Sequence, residues 1–263
     1  MRCLRFTALF LSLSLTAQAQ DWPAYGGDAA GTRYSAATEI TPSNVGRLAP
    51  AWTFHTGEAP RSGSAGSAFD GGGVNWGGGA FDPKSGLFVV NVSNLAHVIR
   101  LIPRADYAAA RANEPKAEIG RGLGTPYAAE RTLLTSIFGI PCNPPPWGML
   151  AAIDLSDGTT RWQVPLGSWV WGRLRGLPNE GGPIVTAGGL VFIAAAMDDK
   201  LHAFDLATGA LLWEGALPAG GQATPMTYVA GGRQFVVVAA DGHARMGTKL
   251  GDAVVAFALP SSR

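Results

Sequence analysis

Apolar residues recur along this chain in short runs separated by glycine- and proline-containing turns, and one such pattern is repeated. Leu150-Ala151-Ala152-Ile153-Asp154-Leu155-Ser156-Asp157-Gly158 matches Leu201-His202-Ala203-Phe204-Asp205-Leu206-Ala207-Thr208-Gly209. Each copy is followed by a tryptophan, Trp162 or Trp213, and the offset is 51 residues for the aspartates and for the tryptophans alike. Alternation in Leu201, Ala203 and Asp205 sends side chains to opposite faces of a strand. Gly209 supplies the backbone freedom of a tight turn, and Trp213 opens the return strand with a large apolar group that can dock between sheets. A further strand, Gly189 to Ala194, precedes the second hairpin. Four short strands per unit of about forty to fifty residues describe a propeller blade. An ordinary β-sandwich would need spacing, turn glycine and tryptophan to coincide by chance.

A third copy is split. Val254-Val255-Ala256-Phe257-Ala258-Leu259 matches the Leu201 strand but has no tryptophan after it. Leu48-Ala49-Pro50-Ala51-Trp52-Thr53-Phe54 reads as the missing return strand. The expected architecture is all-β: a partial β-propeller of about three four-stranded blades over residues 21–263, the last blade closed by the N-terminal strand. Pairing the two segments removes an open edge. A short helix is expected before Trp52, capped by Thr41 with Pro42 in its first turn. Another is expected from Tyr107 to Glu118, and a stiff extended segment from Cys142 to Gly148.

Composition narrows the function. The chain has 36 Gly, 18 Pro and a formal charge of +1, with no basic tract for nucleic acid to bind. Residues 1–20 read as a signal peptide: Arg2 and Arg5, an apolar stretch from Phe6 to Leu15, then Ala17-Gln18-Ala19. Cys3 leaves with the signal, so Cys142 has no intramolecular partner. The four histidines are scattered without metal-ligand spacing, and no metal site is expected from them.

The repeats resemble the tryptophan-docking motifs of pyrroloquinoline-quinone (PQQ)-dependent dehydrogenases. The opening from Asp21 to Ser35, Asn75-Trp76-Gly77-Gly78 with Phe81-Asp82-Pro83, the Gly220 to Tyr228 segment and Gly247 to Asp252 all resemble segments of that family, most nearly its membrane-type glucose dehydrogenase branch. The resemblance implies a periplasmic, membrane-associated oxidoreductase acting on an aldose or alcohol. It implies PQQ and calcium as cofactors, and a membrane quinone or cytochrome as electron acceptor. It places Asn75 and Trp76 at the quinone, where an amide donor stabilises the charge that develops as hydride arrives; read from the dipeptide alone, they are a turn asparagine and a core tryptophan. The family has about eight blades, and its aspartate base, calcium ligands and tryptophan floor fall mostly in blades this chain lacks. A homo-oligomer or a complementing chain would be one way to complete the ring. The alternative function is a non-catalytic envelope propeller that binds other proteins.

Five further residues invite chemistry. Glu180, in the loop Leu177 to Gly182, stands where the family carries an apolar or aromatic residue; it reads equally as a solvated turn or as a group facing the ligand, where it would repel a polyanionic quinone. Asp154 and Asp205 read as turn-capping residues one blade apart. Lys249 and Arg245 read as solvated loop cations.

Overall fold

The computed structural model describes residues 22–57, 72–115, 117–169 and 174–261. The expected signal peptide lies outside these residues, as does most of the Gly/Ser-rich stretch after Glu58. Three blades of four antiparallel strands make up the core; a short fifth strand joins two of them, Gly72–Gly73 beside Leu87–Asn94 and Tyr34–Ser35 parallel to Ile184–Thr186. The first blade runs Gly79–Asp82, Leu87–Asn94, Gly148–Asp154, Thr160–Pro165. The second runs Ile184–Thr186, Leu190–Ile193, Lys200–Asp205, Leu211–Ala216. The third runs Met226–Ala230, Arg233–Ala240, Ala253–Ala258, and its outer strand is Ala49–His55 from the other end of the sequence. Trp52 pairs with Ala256, and this pairing closes the split blade.

The repeat is kept to the level of single residues. Trp162 lies opposite Ala152, Trp213 opposite Ala203 and Trp52 opposite Ala256. In each outer strand one residue bulges immediately before the tryptophan, so the register shifts at the same step in all three blades. A bulge increases local twist and re-aims the following side chain. Here it turns Trp162 and Trp213 toward the neighbouring blade.

Side-chain alternation builds the core between sheets. Val191 and Ile193 face the first blade, where they meet Leu150, Ala152 and Trp162. Leu190 and Phe192 point the other way, toward Val236, Val255 and Phe257 of the third blade. The second blade is therefore buried on both faces. Asp154 and Asp205 cap their turns as expected: Asp154 accepts from Ser156 N and Oγ, and Asp205 accepts from Thr208 N and Oγ.

Three local expectations are corrected. The element before Trp52 is a single 3-10 turn, Val45–Arg47, and Thr41 does not cap it with its side chain; its Oγ1 meets Ser43 Oγ instead. The helix expected over Tyr107 to Glu118 stops at Asn113, and Glu118 starts a strand. That strand belongs to a small separate sheet, His97–Pro103, Tyr127–Leu133 and Glu118–Gly120, inserted between the second and third strands of the first blade.

Candidate functional site

The segments leading into each inner strand, and the loops between second and third strands, emerge on one side of the blades. Asn75 precedes the inner strand of the first blade, Glu180 that of the second, and His243 lies in the second-to-third strand loop of the third. The structure brings these three together. Asn75 Nδ2 donates to Glu180 Oε1 at 3.2 Å. His243 Nε2 lies 3.4 Å from Glu180 Oε2. His243 Nδ1 accepts the Met246 backbone N–H, so the neutral ring carries its proton on Nε2, directed at the carboxylate. Burial lowers the His243 pKa, with Asp241 opposing and Arg245 assisting.

The Glu180 loop is held rigidly. Asn91 Nδ2 donates to Asn179 Oδ1 and to the Gly181 carbonyl, and Ser93 Oγ donates to the Asn179 carbonyl. These buried side chains bond the loop through its backbone carbonyls and the Asn179 amide, which fixes the backbone in place. The Asn75 turn then lies directly on this loop. A Cβ on Gly77 would stand 1.7 Å from the Gly181 carbonyl oxygen, and one on Gly182 would stand 2.1 Å from that of Gly77. Only glycine permits this contact of backbone with backbone.

Glu180 is wholly buried, so the solvated-turn reading is corrected. Trp76 is not a core residue: it is 52% exposed beside the loops. Asn75 is half-buried, and its Oδ1 accepts the Trp76 backbone N–H. Lys249 and Arg245 are exposed. Arg33 was not singled out by sequence. It is 7% exposed, its guanidinium lies against Gly78 and Gly182, and its buried Nη1 has no hydrogen-bond partner.

A second polar cluster lies between the first and second blades. His202 Nε2 is 3.1 Å from Asp198 Oδ2 and 3.4 Å from Glu214 Oε1, while its Nδ1 is 3.3 Å from the Ile193 carbonyl. Both ring nitrogens face acceptors, the pattern of an imidazolium. Burial disfavours that charge, but the hydrogen bonds and negative charge of Asp198 and Glu214 outweigh it and raise the pKa to about 9. The Glu214 carboxyl is lowered to about 2, chiefly by its bond to His202 against an opposing effect of burial, with Lys200 assisting. These three side chains are also close enough to hold a metal ion, a grouping that histidine spacing alone did not show. The sequence signal was the repeat itself: pairing Ala203 with Trp213 sets His202 opposite Glu214.

The sequence profile of the PQQ family described as "Glucose/ethanol/alcohol dehydrogenase, beta-propeller domain" matches residues 22–70 and 67–236. The quinoprotein glucose dehydrogenase of Escherichia coli is 40% identical over 203 residues, covering 70% of this chain and 25% of the relative. The glycerol dehydrogenase large subunit of Gluconobacter oxydans is 39% identical over 215 residues, covering 73% of this chain and 29% of the relative. Among solved structures, a europium-containing methanol dehydrogenase superposes with a TM-score of 0.50 at 23% identity, over 69% of this chain and 32% of that one; this likeness concerns the fold. The chain thus spans between a quarter and a third of the length of these relatives. The repeated indole register, the blade architecture and the profile match over most of the sequence agree: this chain belongs to the family of PQQ-dependent dehydrogenase β-propellers.

Proposed function

We propose that these blades are part of a quinoprotein oxidoreductase, exported to the periplasm by residues 1–20, whose lineage oxidises an aldose or alcohol with PQQ and passes electrons to a membrane quinone or cytochrome. In this reading Asn75 and Trp76 belong to the wall of the quinone pocket. The observation that supports it is the convergence of the Asn75, Glu180 and His243 loops on one side of the blades. Calcium enters by family membership alone.

The residues present fit the quinone only in part. The unpartnered Nη1 of Arg33 suits an anion. Asn75, however, directs its amide to Glu180, a buried carboxylate, and a quinone bearing several carboxylates would meet that negative charge. The base and calcium ligands implied by the family fall mostly in blades beyond these three. The three blades alone therefore do not turn over glucose. The second reading, a non-catalytic envelope propeller, is favoured by the same bond, because it occupies the Asn75 amide that the family resemblance assigns to the quinone. A dye-reduction assay with glucose, PQQ and calcium in excess tests the proposal, and no turnover is expected. Robust activity that disappears in Asn75→Ala would show that the remaining residues rebuild a complete site. PQQ binding without turnover supports the quinoprotein reading, and no binding even in Glu180→Gln supports the scaffold.

A further inference from the structure

The two open faces of the three-blade arc differ, and they are complementary. Between the first and second blades the tryptophan contact is complete. Trp162 is 9% exposed, and its Nε1 donates to the Leu206 carbonyl at 2.9 Å. Its indole covers Gly209 so closely that a Cβ there would stand 2.6 Å from Cε3. Leu206, beneath it, is 7% exposed.

The first blade carries the same turn on its outward side. Asp154 to Gly158 has the same backbone turn, the Gly158 N–H donating to the Asp154 carbonyl as that of Gly209 does to Asp205, and Gly158 has φ +73° against +72° at Gly209. Yet nothing lies within 4 Å of a Cβ built on Gly158, and Leu155, the counterpart of Leu206, is 58% exposed. This is a formed indole seat on which no indole of the described residues rests. At the far end of the arc the third blade presents the converse. Trp52 has the register and bulge of Trp162 but is 38% exposed, and Phe54 beside it is 60% exposed. The Trp52 N–H donates to the Tyr228 hydroxyl, at 3.3 Å.

We propose that two copies of this chain close head to tail into a six-blade ring, Trp52 of each copy seated on Leu155 and Gly158 of the other. A contact between unlike surfaces closes when its rotation brings the last free surface back to the first. Two arcs of three blades give six, within the roughly four to eight blades of known propellers, whereas three arcs would exceed that range. In the ring each Trp52 N–H passes from Tyr228 to the Leu155 carbonyl, as Trp162 bonds Leu206. The inference draws on blade geometry and is independent of whether a quinone binds.

Sedimentation velocity of the purified chain should show a dimer. Trp52→Ala removes the plug, and Gly158→Asn fills the seat with a residue that tolerates positive φ. Each variant alone should sediment as a monomer at concentrations where the parent is dimeric, with an unchanged circular dichroism spectrum. Mixing the two should restore association, because the mixed dimer regains one intact plug and seat. A parent that stays monomeric up to high micromolar concentration would overturn the proposal. So would a dimer indifferent to both substitutions, or a mixture that associates no better than its components.

Discussion

Replacing Gly209 by alanine adds one methyl group at the point where two blades touch, and its cost separates into two parts. The backbone there has φ +72°, so any L side chain adds strain of about 1–2 kcal/mol. The methyl would also stand 2.6 Å from Trp162 Cε3 and 2.7 Å from Cδ2. Forcing the indole aside in a packed core costs a further ~1–3 kcal/mol. Gly158→Ala has the same strain at φ +73° with nothing in front of it, so in dilute, dissociated protein it should cost only the first part. Urea unfolding of Gly209→Ala, Trp162→Ala and the double variant isolates the second part as a coupling energy. Trp162→Ala alone should cost about 3–5 kcal/mol, since it empties a buried site and leaves the Leu206 carbonyl without its donor. In that background Gly209→Ala should cost only its strain, giving a coupling of about 1–3 kcal/mol. A coupling below ~0.5 kcal/mol would mean that the indole does not rest on Gly209, and the account of how blades lock together would be wrong.

Two further outcomes are expected. His202 is held charged with a folded pKa of about 9 against an ordinary value of 6.5. Its contribution is therefore complete below pH 6.5 and is lost as pH rises through 9, amounting to about 3 kcal/mol. Denaturation profiles of the parent and His202→Gln should converge over that window, and parallel profiles would refute the assignment. Glu180→Gln removes the carboxylate facing Asn75, so PQQ affinity measured by quenching of Trp76 should rise on the order of tenfold; an unchanged or weaker affinity would show that Glu180 does not face the quinone.

The blades were legible because their determinants are local and repeated. Strand, capped turn, glycine and tryptophan recur at one spacing, and the split copy at the two ends of the sequence showed which strand pairs with Ala253–Ala258. The inserted sheet was not legible. Its strands form a small core of Ile102, Ile119 and Ala128, with no repeat to mark them. Of the candidate site, sequence singled out Asn75, Trp76 and Glu180 one by one. The meeting of Asn75 with Glu180, and of Glu180 with His243, joins loops from three blades, and no spacing along the chain encodes it. Arg33 was hidden for the same reason: its burial depends on glycines of two other loops.

The closure of the third blade has a consequence for how the protein comes into being. Its outer strand, Ala49–His55, is synthesised well before its partner, Ala253–Ala258. Non-local pairing of this kind must bear the entropy of closing a long loop before the contact stabilises anything, and such topologies fold slowly. Until then Trp52 and Phe54 sit on a strand with no neighbour, a template for aggregation. The second blade, complete within one contiguous stretch and buried on both faces, is the natural nucleus; the third blade forms last. An emerging chain would therefore have to be kept from pairing its early strand with a neighbour's, which places the need for a holding chaperone before the last strand is made.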